Sequence, residues 1–356
     1  MQNKVKLSII MPVFNHCDDV ITMVDSIHTN DFTDWELLLV DDGSDVETLD
    51  MLDGYKQTDQ RIKVIKRERT PKGAPTCRNI GFEEAIGKYV VFFDSDDYIT
   101  STCLGQRVDA MEKNTDMDFM VFPSGVYSDT EGFKAIAHIN AYGYKVFDDD
   151  VKAFSRRMLP FIVWNNIYRA ESIRNHHLTW DEHLLSLQDC DYNIKAITSG
   201  MKYCYVTDVE ADYGYRISSV ASISKKTNTT AHFLSHARAV DNIYRCVRGC
   251  FGNKYDLALY EGVLLLYNSV ASGRGTMDEF ADTLLAVVRT HTHFYANLLK
   301  FQIYTSNVLR RFLPEKLSRQ IPMLLFLVAR TSWTKHKVKR LQSKLVVMKY
   351  KMNKNL

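Results

Sequence analysis

No stretch of this 356-residue chain stays apolar for the roughly 20 residues that a bilayer-spanning helix requires. The longest apolar run near the end, Ile321 to Ala329, is far too short, so no transmembrane helix is expected. A secretion signal is missing as well. Met1 to Lys6 is polar and runs straight into a strand-like stretch, without a charged n-region and an apolar h-region. Cysteine is sparse and unpaired in pattern: Cys17, Cys77, Cys103, Cys190, Cys204, Cys246 and Cys250 make an odd number with no CxxC and no zinc-like spacing to histidine. That argues against a disulfide framework and a zinc site, and for a reducing, cytoplasmic setting. No GxGxxG follows the first strand-like run and no GxxxxGK[ST] occurs anywhere, so neither a dinucleotide oxidoreductase nor a P-loop enzyme is supported. Repeats and low-complexity tracts are absent. With 46% hydrophobic and 25% charged residues, disorder and fibrous classes are excluded.

What is present over the first 125 residues is an alternation of short apolar runs with amphipathic stretches. Leu7 to Phe14, Trp35 to Val40, Ile62 to Ile65, Tyr89 to Phe93 and Phe119 to Phe122 read as buried strands, because their faces show no polar alternation. Helices are expected from Asp18, as N-cap, to about Thr29, from Ala74 to Ile86, and from Thr102 to Asn114. The architecture implied is a doubly wound, mainly parallel α/β sheet. Further strand-like pieces lie at Val163 to Tyr168, Lys202 to Val206 and Tyr213 to Ile217, with a helix around Asp189 to Thr198. From about Thr229 onward nearly everything reads as helix. A polar break at Ser224-Lys225-Lys226-Thr227-Asn228 sets the expected domains: 1–225, a helical extension over 226–334, and a basic tail over 335–356. From Lys300 to the end, fourteen Lys or Arg stand against Glu315 alone, so the overall charge of +2 hides an acidic body carrying a basic appendage.

Ligands of such sheets bind beyond the carboxyl ends of the strands, and those ends are unusually polar here. Asp94, Asp96 and Asp97 follow YVVFF; hard carboxylate oxygens suit Mg2+ or Mn2+, and an acidic turn capping the next helix is the plainer alternative. Asp41 and Asp42 follow LLLV, where they can accept hydrogen bonds from a base or ribose, or simply form an Asx turn with Gly43. Lys72 to Asn79 places Arg78 at the opening of a helix, suited to a diphosphate.

The segments LSIIMPVFN, WELLLVDDGS and RNIGFEEAIGKYVVFFDSDD, in this order and spacing, resemble family 2 of the glycosyltransferases, which have the GT-A fold. A weaker resemblance continues through WNNIYRAESI, LQDCDYNIKAI and YGYRISSVASIS to about residue 224. It implies that Pro12, Phe14 and Asn15 border a nucleoside pocket, that Asp42 contacts the base with Asp41 beside it, and that Arg78 approaches the diphosphate. Asp94 and Asp96 match the family's DxD pair, for a ribose or metal-water contact and direct metal coordination respectively. Asp97 is read as support for the first turn. Asp189 matches the aspartate of the acidic pair that supplies the general base; Gln188 replaces the usual Glu, a departure that bears on the positioning of the acceptor. Asn166 replaces a frequent Lys, and the loop before Arg78 reads KGAP. Trp164, Asp191 and Arg216 are further acceptor-side or diphosphate-side residues, Trp164 being equally readable as core and Arg216 as half of a structural ion pair.

The function implied is a metal-dependent, inverting hexosyl-type transfer from a nucleotide-diphosphate sugar, by resemblance a UDP-sugar, to a hydroxyl of a glycan or lipid-linked acceptor in cell-surface polysaccharide synthesis. The alternative is a non-catalytic glycan- or nucleotide-sugar-binding protein on the same fold. In the tail, Val338, Leu341, Leu345, Met348 and Met352 recur at steps of three and four among eight Lys or Arg. That pattern predicts an amphipathic helix lying on an anionic membrane, hence a cytoplasmic protein peripheral to the inner face of the plasma membrane. Nucleic acid is not expected as a partner, because the basic stretch carries few aromatics and the sheet region is acidic.

Overall fold

The computed structural model describes residues 5–135, 142–217, 229–270, 277–314 and 317–318. The first half-sheet is built from β1 (Leu7–Val13), α1 (Cys17–His28), β2 (Trp35–Asp41), α2 (Val46–Thr58) and β3 (Ile62–Lys66). There follow α3 (Ala74–Glu84), β4 (Tyr89–Phe92), β5 (Tyr98–Ile99), α4 (Cys103–Lys113), β6 (Phe119–Val121), β7 (Ser124–Ser128) and β8 (Gly132–Lys134). Then come α5 (Asp150–Ser155), a 3-10 turn (Val163–Asn165), β9 (Asn166–Arg169), α6 (Ala170–Asn175), α7 (Gln188–Thr198), β10 (Tyr203–Tyr205) and β11 (Tyr213–Arg216). Four helices close the described chain: α8 (Thr230–Phe251), α9 (Asp256–Val270), α10 (Met277–His291) and α11 (His293–Leu309).

Seven strands form the main sheet in the order β10-β6-β9-β4-β1-β2-β3. All neighbours run parallel except β9, which is antiparallel to both β4 and β6. The expected α/β sheet is therefore present. Every residue of β2 is buried and β1 is nearly so, as strands covered on both faces must be. Strand order reverses at β1, with β2 on one side and β4 on the other. That divergence leaves a crevice beyond Val13 and Phe92, the ends of β1 and β4. Helix α3 lies close over β1 because Gly81 has no side chain: a Cβ there would sit 2.5 Å from Ile10 Cγ2.

A second, four-stranded sheet, β5-β11-β7-β8, contains the strand expected at Tyr213 to Ile217, as β11, and three strands that no apolar run announces. Its strands are short and mixed in character, and β11 pairs with β5 antiparallel and β7 parallel. It is anchored by Asp212, just before β11. Arg107 of α4 forks onto Asp212 (Nε to Oδ2 2.8 Å, Nη2 to Oδ1 2.6 Å) and donates its remaining nitrogen to the Trp164 carbonyl at 2.8 Å. Both partners are fully buried. Removing one leaves the other charged and unpaired in the core, so Asp212→Ala is expected to cost about 3–5 kcal/mol of stability. Urea unfolding checks this; an unchanged midpoint would mean that the pair does not hold the second sheet.

Helix α1 begins at Cys17 with His16 as its cap in the left-handed region, so Asp18 lies in the first turn and is not the N-cap the sequence suggested. The predicted strand from Val163 divides into the 3-10 turn and β9. Helices α8 to α10 share one apolar cluster with a face of the main sheet, in which Phe92, Phe119 and Tyr168 join Val240, Tyr244, Leu264 and Leu284. The expected boundary near 225 and the basic tail 335–356 both lie outside the described residues. No helix among the described residues is long and apolar enough to cross a membrane.

Candidate active site

The polar strand ends converge at the crevice, and several of them hold one another in place. Asn15, at φ 55°, donates its backbone N–H to Ser44 Oγ at 3.0 Å and accepts the Asp45 N–H on Oδ1 at 2.9 Å, fastening the loop after β1 to the loop after β2. Asp41 accepts from the Gly43 and Ser44 amides at 3.1 and 2.9 Å. Its two oxygens thus build the Asx turn in which Gly43 takes φ 89°. Asp42, buried beside it, accepts from Arg67 Nε at 2.5 Å and from the Gly73 amide at 3.1 Å. Pro12 lies in β1 opposite Val40, and Phe14 is an exposed ring with Lys72 Nζ 3.4 Å from its centroid.

Arg78 connects this side to α7. Its Nη2 donates to Asp94 Oδ1 at 2.6 Å and its Nη1 to Gln188 Oε1 at 3.1 Å, while its guanidinium lies 4.5 Å from the Trp180 ring. Its Nε is buried without a partner. Gln188 therefore has a defined place: an amide oxygen takes the guanidinium without adding a charge next to Asp189. Asp189 occupies the first turn of α7, after Leu187 as the left-handed cap. Desolvation lifts its carboxyl to about 6; the Arg78 charge opposes the rise and that of Asp94 adds to it.

The aspartates after β4 differ sharply in environment. Asp94 is paired to Arg78 and one-third exposed. Asp96 is pushed up to about 6, by desolvation first and by Asp94 second. Asp97 is buried, and it accepts from Tyr213 Oη and from the Arg216 N–H, each at 2.7 Å. It pins β11 beneath the site; the helix-turn support expected of it is not its role, because α4 begins only at Cys103. Arg216 donates from Nε to the Asp96 carbonyl at 2.7 Å and from Nη1 to Asp129 at 2.5 Å, with Asp19 at 3.3 Å. Its Nη2 is buried and unbonded.

Two of the sequence-named residues lie apart from this cluster. Trp164 is 3% exposed and stacks on Tyr213 with centroids 4.6 Å apart, so it serves as core packing and offers no open floor for a sugar. Asp191 turns to Lys195 at 2.5 Å and to Asn242 of α8 at 2.9 Å, which ties α7 to the helical region. Arg67, which holds Asp42, was not among the residues expected from the sequence, although it stands directly after β3 and so at a polar strand end like the others. Trp180 and Tyr213, which support Arg78 and Asp97, carry no local signal.

Among the described residues no group of three His, Cys, Asp or Glu is arranged to hold a metal ion. The donor set on offer is smaller: Asp96, with Asp94 if it is released from Arg78. Two crowded carboxylates, one already raised toward neutrality, suit a hard divalent cation that takes its remaining ligands from water and phosphate.

The sequence profile of Glycosyl transferase family 2 matches residues 8–175. The chain is 24% identical over 281 residues to an uncharacterized glycosyltransferase, EpsJ, of Bacillus subtilis, covering 76% of this chain and 80% of that protein. It is 28% identical over 217 residues to a poly(ribitol-phosphate) beta-glucosyltransferase of Bacillus spizizenii, covering 59% of this chain but only 32% of that protein. The fold is similar to that of residues 1-349 of S. aureus TarS in complex with UDP-GlcNAc, with a TM-score of 0.64 and 16% identity over 96% of this chain and 92% of that one.

Proposed function

The chain belongs to glycosyl transferase family 2 through its residues 8–175, and on that premise we propose that it transfers a sugar, with inversion, from a nucleotide-diphosphate donor to a hydroxyl of a glycan or lipid-linked acceptor. The observation that carries the proposal is the bridge made by Arg78. One guanidinium, bonded to Asp94 on the strand-end side and to Gln188 at the start of α7, stands between the donor-side carboxylates and Asp189. A uridine donor is supported by the UDP-GlcNAc complex of the similar fold.

In this mechanism Asp42, held by Arg67 and the Gly73 amide, accepts a hydrogen bond from the base. Phe14 and Pro12 flank the nucleoside. Arg78 and the free Nη2 of Arg216 are the cations for the diphosphate, whose growing negative charge they stabilise as the glycosidic bond breaks. Asp189 takes the proton of the attacking acceptor hydroxyl, and a carboxyl lifted to about 6 is a stronger base than an ordinary aspartate while still ionised at neutral pH. Displacement in line at the anomeric carbon then inverts its configuration. Asp96 and Asp94 would hold Mn2+ or Mg2+, which supplies Lewis-acid neutralisation of the diphosphate when bound.

The test is a panel of nucleotide sugars incubated with the full chain, with and without Mn2+, reading release of the nucleoside diphosphate. One nucleotide sugar is expected to be consumed faster than the rest and only with metal. Consumption of none would overturn the transferase reading, and equal consumption in EDTA would remove the metal from it.

A further inference from the structure

The geometry points to residues 180–182, between α6 and α7, as the positioning element that seats Arg78 for a diphosphate and fixes it against the start of α7. The inference deepens the transferase reading and rests on it for the diphosphate. Each residue of the segment is fastened to a different part of the fold. Asn79 of α3 pairs with both backbone groups of Trp180: its Nδ2 donates to the carbonyl at 3.0 Å and its Oδ1 accepts the N–H at 3.0 Å. Asp181 accepts from Arg238 Nε at 2.6 Å and from Asn242 Nδ2 at 2.8 Å, both on α8. Glu182 accepts on one oxygen from Asn79 Nδ2 at 2.9 Å and from Arg69 Nη2 at 2.7 Å. The Arg69 carbonyl in turn accepts from Arg67 Nη1 at 2.5 Å, and Arg67 is the residue that holds Asp42. Hydrogen bonds thus connect Asp42, assigned to the nucleobase, with the residues that lead into α7.

What this frame presents to Arg78 is one locked ring. Trp180 is 4% exposed, and its ring lies 4.5 Å from the Arg78 guanidinium. The same ring stacks on Tyr192 of α7, with centroids 4.1 Å apart and planes 15° from parallel, and meets Phe92 at the end of β4 edge-on at 5.6 Å. An aromatic face attracts a guanidinium without taking any of its N–H donors. Those donors are what a diphosphate needs, and a carboxylate in the place of the ring would compete for them. Arg78 directs two of them to Asp94 and Gln188, and its Nε has no partner among the described residues. Phosphate oxygens can therefore replace Asp94 while the ring keeps its hold.

The identity of the residue fits this role better than core filling. The indole Nε1 of Trp180 is buried with no partner among the described residues, an unmet donor that phenylalanine or leucine would not carry. Indole is also the strongest cation-binding face among the side chains. A seat for Arg78 accounts for a tryptophan here, whereas packing alone gains nothing from its N–H. Asn79 stands next to Arg78 on α3. The residue that aims the ring and the residue that meets it are thus carried on one rigid turn.

The experiment is calorimetric titration of the full chain with UDP and with GDP, each with Mn2+, in a double-mutant cycle between Trp180 and Arg78. Trp180→Leu is expected to weaken the tighter diphosphate about tenfold, and Trp180→Phe less, because a phenyl ring keeps a weaker cation-binding face. In the Arg78→Gln background Trp180→Leu should add nothing further. A packing role alone predicts otherwise: a lower melting temperature with the affinity of the folded molecules unchanged, or the same loss with and without Arg78. Asn79→Ala frees the backbone of Trp180 and leaves the ring intact, so a smaller loss is expected, again absent in Arg78→Gln. That variant decides the matter should Trp180→Leu fail to fold. Unchanged affinity in the folded variants, equal losses for phenylalanine and leucine, or additive losses in the cycle would each overturn the inference. Binding needs no turnover, so a wild type that shows this pattern yet consumes no nucleotide sugar would sink the proposed transfer and leave the seat of Arg78 standing. A wild type that binds neither diphosphate would sink both.

Discussion

Asp189→Asn is expected to lower sugar transfer by a factor of about 10²–10⁴, the range for loss of a positioned general base, while leaving nucleotide binding in place. The substitution is nearly isosteric, and the asparagine can still occupy the first turn of α7 behind Leu187. It cannot take a proton. The pH profile supplies an independent reading of the same group. Asp189 acts as carboxylate and its carboxyl is raised to about 6, so kcat/KM should fall tenfold per pH unit below about 6 and level off above 7. An ordinary aspartate would place that limb near 4. Asp96 titrates in the same region, so the limb is assigned by repeating the profile at saturating Mn2+, which holds Asp96 ionised and leaves Asp189 to set the curve. A wild-type transfer rate in Asp189→Asn would move the base elsewhere on the acceptor side. Asp191 is a poor substitute, since Lys195 and Asn242 already engage it.

The strands of the main sheet were readable because both of their faces are buried, which makes β1, β2 and β4 mostly apolar runs, with Ser8 and Glu36 the polar exceptions before the strand ends. Their carboxyl ends were readable for the complementary reason, since Asp42, Asp94 and Asp96 interrupt those runs where a core gains nothing from charge. Of the second sheet only β11 was readable, as the strand-like Tyr213 to Ile217 stretch. The sheet's strands are short: Ser124–Ser128 and Gly132–Lys134 pair as a local hairpin without a clear apolar run, and β11 reaches back to β5 and β7 across long sequence separations. Trp164 illustrates a different limit: an aromatic next to an expected acceptor site reads the same whether it faces a sugar or, as here, the ring of Tyr213, and only the partner brought from 49 residues away decides it. Asp97 looked like a cap because helix starts favour aspartate, whereas its partners, Tyr213 and Arg216, come from β11. Helix and strand identity are local properties, and pairings between distant segments are not.

Asp96→Ala is expected to abolish the dependence of donor turnover on Mn2+ and to lower the rate at saturating metal by about 10²–10³, comparable to removing a preorganised electrostatic contact. The fold should survive, because the Asp96 side chain is exposed and no described side chain pairs with its carboxylate, while its carbonyl, which Arg216 uses, is backbone and remains. Asp97→Ala provides the contrast. That residue is buried and holds both Tyr213 and Arg216, so its loss should lower the melting temperature together with activity. The deciding measurement is donor hydrolysis across a Mn2+ titration and after EDTA. In the wild type EDTA should remove turnover and added Mn2+ restore it, whereas in Asp96→Ala neither should change the residual rate. If Asp96→Ala instead keeps full, EDTA-sensitive activity, the metal is held elsewhere. If the wild type ignores EDTA altogether, Arg78 and Arg216 carry the diphosphate charge by themselves, and the acidic end of β4 serves to hold Arg78 in place.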